Sequence, residues 1–65
     1  MSNATLKVEI KKLLAEVNRQ HDVVHQKADE MGISAYQLQN KDGSYMLVDL
    51  LAAKANLLSA LAKLG

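Results

Sequence analysis

The tail of the chain, residues 45–64 (YMLVDLLAAKANLLSALAKL), constrains the fold more than any other stretch because it is almost entirely apolar. Apart from Tyr45, its polar residues are Asp49, Lys54, Asn56, Ser59 and Lys63. On a helix, the apolar positions cover far more than the roughly 100° stripe that a one-sided surface helix needs. We therefore expect a helix that requires neighbours on two sides.

Two apolar seams can be traced along this tail helix. The first repeats at heptad-like intervals: Leu50, Ala53, Leu57, Ala60 and Leu64. The second runs along the adjoining face: Leu47, Leu51, Ala55, Leu58 and Ala62. Small residues between the leucines allow two helix backbones to approach closely. The pattern predicts that one seam packs within the chain and the other packs on a second copy.

Length and composition favour a small helical domain that gains stability by association. A chain of 65 residues is near the lower limit for independent folding, since it buries only about 60% of the surface that its unfolded form exposes. Cysteine is absent, which excludes disulfides and thiolate metal sites within the chain and leaves oligomerisation as a common reinforcement. Trp, Phe and Pro are also absent, and the apolar residues are mostly Leu and Ala, which favour helix.

The charge distribution gives no strong attraction to nucleic acid or to anionic lipid. The formal net charge is +1, and in residues 1–31 five basic side chains are balanced by five acidic ones. We find neither a signal-peptide pattern nor an uncharged apolar run of about 18 residues, the length that a membrane span needs. We therefore expect a cytoplasmic protein that does not engage membranes.

The first helix is predicted over about residues 4–31. Apolar residues recur there at intervals of 3, 4 and 7, and Gly32 follows in the position of a left-handed C′ residue. Such a helix spans about 40 Å, whereas a tail helix over about residues 47–64 spans roughly 27 Å. If the tail folds back beside the C-terminal half of the first helix, a second chain is the simplest cover for the remaining apolar side chains: Leu6, Ile10 and Leu13.

The segment between the helices, about residues 33–48, has two interpretations. Asn40-Lys41-Asp42-Gly43 is a strong turn signal, and the alternation on either side predicts a short β-hairpin that pairs Gln39 with Ser44. In the alternative, Ser34 and Gln37 form a capping box that opens one helical turn, and Ser44 is the N-cap of the tail helix. We favour the hairpin.

His21 and His25 are a weak candidate for a metal site. Two imidazoles four residues apart lie on one helical face and can bind a single ion, and Asp29 continues the row. A catalytic zinc site needs a third ligand and a substrate cleft, for which the chain is very short. We expect packing and surface roles for both histidines, no metal or other cofactor, and no catalytic residues.

The basic residues of the first helix motivate an alternative function, a small dimeric nucleic-acid-binding regulator. They lie in its N-terminal part: Lys7, Lys11, Lys12 and Arg19. Glu9 and Glu16 are interleaved with them, and no aromatic residue is available to stack on a base. A solvated helix face explains this pattern better, so we expect nucleic-acid binding to be absent.

Together these patterns predict a mainly α, single-domain protein with an α-β-β-α order that oligomerises as a helical bundle. The expected function is that of a non-enzymatic homo-oligomeric assembly or protein-interaction module. Its partner is itself, as a dimer or larger oligomer, or another protein. The predicted oligomer interface consists of Leu6, Ile10, Leu13, Leu50, Leu57, Leu61 and Leu64.

Overall fold

The computed structural model describes residues 2–65, which form two α-helices joined by a compact loop. Helix α1 spans Asn3–Met31, helix α2 spans Met46–Lys63, and a 3₁₀ turn occupies Ala35–Gln37. Both helices agree with the predicted ranges to within one residue at each end. The molecule measures 44 × 19 × 17 Å, so its long dimension matches the length of α1 alone. Helix α2 therefore lies alongside α1, and the mainly helical fold is an antiparallel helical hairpin.

The two ends of α1 are fixed by local hydrogen bonds. Ser2 is the N-cap, and its hydroxyl oxygen accepts from the backbone N–H of Thr5 at 3.2 Å. Gly32 has a φ of 68° and donates its N–H to the carbonyls of Ala28 and Asp29, which confirms the predicted left-handed C-terminal residue. The cap at Ser2 was not predicted, although Ser is a preferred N-cap residue.

The predicted β-hairpin is wrong. Residues 2–65 contain no β-strand, only an isolated antiparallel bridge between Gln39 and Tyr45, one residue away from the expected partner Ser44. The helical alternative is confirmed at Ser34 and Gln37, whose reciprocal capping box begins the 3₁₀ turn. Because these side chains satisfy the backbone locally and α2 already begins at Met46, no residues remain to extend a ladder.

The start of α2 also differs from the prediction, although the turn before it is confirmed. Gly43 has a φ of 87° and donates its N–H to the Asn40 carbonyl at 3.0 Å, which closes the expected turn. Tyr45, not Ser44, is the N-cap of α2, and its side chain makes no capping hydrogen bond. The Ser44 hydroxyl is engaged instead with side chains around the loop, so it is unavailable as a cap.

The buried core lies at the loop end of the hairpin. It consists of five side chains: Val24, Ala28, Ala35, Leu38 and Leu47. Ile33, Met46 and Leu50 are partly buried against them. Along the remaining length of the two helices, from Leu6 to Val17 in α1 and from Leu50 to Leu64 in α2, no side chain is fully buried. Complete burial is therefore confined to one end of a long molecule.

Candidate oligomer interface

The predicted interface residues fall into two groups in the structure. Six of them are half-buried: Leu6, Ile10, Leu50, Leu57, Leu61 and Leu64. They recur at helical spacing on the same faces as the core residues Val24 and Leu47, so they line the contact between α1 and α2. Leu13 is the exception, because its side chain is 54% exposed. The seam through Leu50 therefore faces into the hairpin.

The second predicted seam is on the outside of α2. Leu51 is 39% exposed and Leu58 is 48% exposed, and Val48, Ala55 and Ala62 are exposed with them. We call this set of five residues the outer seam. Its spacing of 3, 4, 3 and 4 residues is that of a heptad. Leu47, which the sequence placed first in this seam, instead contributes to the core, and Val48 takes the adjacent position on the exposed face.

A hydrogen-bonded loop fixes the N-terminal end of the outer seam. Asp49, in the first turn of α2, accepts from the Asn40 side-chain amide at 3.0 Å, and its Oδ2 lies 3.2 Å from the Ser44 hydroxyl oxygen. The hydroxyl and backbone N–H of Ser44 are both close enough to Asp42 Oδ1 to donate to it, at 2.6 and 2.9 Å. These bonds favour the charged carboxylate and lower the pKa of Asp42.

The charges along the outer face of α2 are few and separated. Asp49 lies near the N-terminal end and Lys63 in the last turn, both exposed and both turned by roughly 100° or more around the helix axis from the outer seam. Lys54 is half-buried on the other side of the outer seam. The five residues of the outer seam therefore carry no charge.

His21 and His25 lie close together on α1. Their ring centroids are 4.6 Å apart with an interplanar angle of 51°, and His21 is half-buried whereas His25 is exposed. Within residues 2–65, no group of three or more His, Asp or Glu side chains is placed to hold a metal ion. Two imidazoles supply only half of a tetrahedral coordination shell, so the pair by itself does not build a zinc site.

The basic side chains of α1 are partly neutralised by acidic neighbours one turn away. Lys12 Nζ lies 3.5 Å from Glu9 Oε1, and Arg19 Nε donates to Glu16 Oε2 at 3.0 Å. Hydrogen bonds from Arg19 and Gln20 lower the pKa of Glu16 to about 2. These pairs reduce the positive potential that a phosphate backbone would meet.

An open groove of about 390 Å³ lies between α1, α2 and the loop. Val24, Met46 and Leu50 give it an apolar floor, and Lys27 and Asp49 are the charged residues among its lining side chains. No histidine or serine lines it, so the groove offers neither a hydroxyl nucleophile nor an imidazole base.

The comparisons with known proteins give no further guide to the interface. No protein-family model, curated protein or solved structure matches the chain. Across residues 2–65, neither helix combines the length and apolar character that crossing a membrane requires.

Proposed function

We propose that this chain is a small, non-enzymatic homo-oligomeric module that serves in assembly or protein interaction. The observation that supports the proposal is the outer seam, an unpaired heptad-spaced apolar face on a two-helix molecule whose buried core lies at one end. Isolated apolar side chains on a surface are ordinary, but a contiguous row along one helix is typical of an interaction site.

The energetics of a small hairpin favour association through this face. A chain of this size rarely gains more than about 3–5 kcal/mol from its own core. Completely burying a leucine side chain stabilises by about 1.5–3 kcal/mol, and Leu51 and Leu58 still expose a large part of their surface. Covering them with a second chain adds a contribution comparable to the stability of the lone hairpin.

The nucleic-acid alternative receives no comparable support. Lys12 and Arg19 each face a carboxylate one turn away, and the two tyrosines, Tyr36 and Tyr45, lie in and beside the loop, away from the basic part of α1. A groove that binds single strands combines unpaired basic side chains with aromatic stacking platforms. We therefore retain the assembly module as the proposed function.

Sedimentation equilibrium over micromolar concentrations tests the proposal. We expect the wild-type chain to sediment as a dimer or larger species, and Leu58→Glu to shift it to monomer because the substitution places a charge in the centre of the outer seam. Val8→Glu is the matched control. Val8 is 51% exposed on α1, outside the outer seam, so the same charge there should leave the association unchanged.

Circular dichroism of both variants provides the check on folding. Both should keep the helical content of the wild type, because neither position belongs to the buried core. A wild-type chain that sediments as a folded monomer at all concentrations would contradict the proposed function. Equal association of the two glutamate variants would show that the outer seam is not the interface.

A further inference from the structure

We propose that two copies of the chain pair antiparallel through their outer seams, with the twofold axis between Asn56 and Leu57. This inference rests on the proposed function and specifies the partner and its orientation. It begins from the distribution of side-chain size along the seam. Leu51 and Leu58 occupy one set of heptad positions, whereas Val48, Ala55 and Ala62 occupy the other, and all five are exposed.

Antiparallel pairing places a large residue opposite a small one in every layer. With the axis at this position, Leu51 lies opposite Ala62 of the second copy, and Leu58 lies opposite Ala55 of the second copy. The twofold axis repeats both layers, so four layers have the same summed volume. Helices pack well when large and small side chains alternate across facing positions. The outer seam is therefore complementary to itself in the reversed orientation.

Parallel pairing of the same face lacks this match. It sets Leu51 against Leu51 and Leu58 against Leu58, with Ala55 against Ala55 between them. Layers of two leucines hold the helices apart and leave the alanine layers underpacked, which costs the dispersion contacts that a well-packed interface gains. Side-chain size alone thus distinguishes the two orientations.

Engineered disulfides test the orientation directly, because the chain contains no cysteine. We expect the double variant Leu51→Cys/Ala62→Cys to form a covalent dimer on mild oxidation, since each cysteine lies opposite its counterpart on the second copy. The single variants Leu51→Cys and Ala62→Cys should remain uncross-linked. Identical positions in the antiparallel dimer are separated by 11 residues, or about 16 Å along the axis, which a disulfide cannot span.

A spin label at Lys63→Cys provides a second measurement that leaves every apolar residue of the outer seam intact. In the antiparallel dimer the two labels are separated by 13 residues, or about 20 Å along the axis, whereas in a parallel dimer they lie side by side. The expected result is a single long distance by pulsed electron paramagnetic resonance. Covalent dimers of Leu51→Cys alone, together with a short label distance, would overturn the proposal in favour of parallel pairing.

The outcomes for orientation and for function can be told apart. If the wild-type chain sediments as a dimer while the label distance is short, the antiparallel proposal fails and the homo-oligomeric function stands. If the wild-type chain is monomeric, both fail. A wild-type dimer with cross-linking confined to the double variant and a long label distance supports both.

Discussion

At the scale of single residues, solvent exposure in the structure differs between leucines that the sequence pattern alone cannot tell apart. Leu47 is 1% exposed and belongs to the buried core, whereas Leu13 is an exposed leucine on α1. We expect Leu47→Ala to cost about 2–5 kcal/mol, because it leaves a cavity in the core. Leu13→Ala should change the stability by only about 0.5 kcal/mol, as exposed positions usually do. Urea denaturation of both variants measures the difference. Equal effects would contradict the placement of the core at the loop end.

How far these residue roles could be predicted depends on the periodicity that each one shows. The sequence identified both apolar seams of the tail, but it could not decide which one faces α1, because the apolar residues cover most of the wheel. Leu47 was therefore grouped with Leu51, although the entry of the loop into α2 turns Leu47 inward. Ser2 precedes the first apolar repeat of α1, so the apolar periodicity carries no signal for its capping role.

At the scale of the elements, both helices were predictable and the loop was not. Gly32 and the turn at Gly43 carry strong local signals, and the structure places both as expected. The choice between hairpin and helical turn depended on where Ser34, Gln37 and Ser44 direct their side chains. Alternating apolar residues also suit a loop whose inward side chains, Ala35 and Leu38, complete a core between helices. Periodicity over so short a segment cannot separate these two cases.

The hydrogen bonds at Asp42 give the loop a dependence on pH. Because the folded state lowers the pKa of Asp42 below its ordinary value of 3.8, the bonds from Ser44 stabilise the fold fully above that value. Their contribution is lost as the pH falls through the lowered pKa. We expect Asp42→Asn to lower the melting temperature near pH 6 and the difference from wild type to vanish in strong acid.

Thermal denaturation followed by circular dichroism at a series of pH values checks this expectation. Ser44→Ala is the companion variant, because it removes the hydroxyl that donates to Asp42 and keeps the backbone N–H. Its melting temperature should therefore lie below that of the wild type by less than that of Asp42→Asn does, and this difference should also shrink in acid. A difference between wild type and Asp42→Asn that stays constant down to the lowest pH would show that these bonds do not stabilise the loop.

At the scale of the whole molecule, association should make stability depend on concentration. When folding and dimerisation are linked, each tenfold increase in chain concentration stabilises the dimer by about 1.4 kcal/mol. We therefore expect the melting temperature of the wild type and of Val8→Glu to rise by several degrees between low and high micromolar concentration. Leu58→Glu should melt at one temperature throughout. A wild-type melting temperature independent of concentration would contradict a dimer that is linked to folding.

The helical hairpin also determines where an additional protein segment would be attached. Since α1 and α2 run in opposite directions from one loop, the N-terminus and the C-terminus lie toward the same end of each chain. Antiparallel pairing then sends the two copies' termini to opposite poles of the dimer. A protein segment joined to either terminus would therefore lie at both poles of the dimer and point outward. The dimer would then act as a spacer that holds the two attached segments apart.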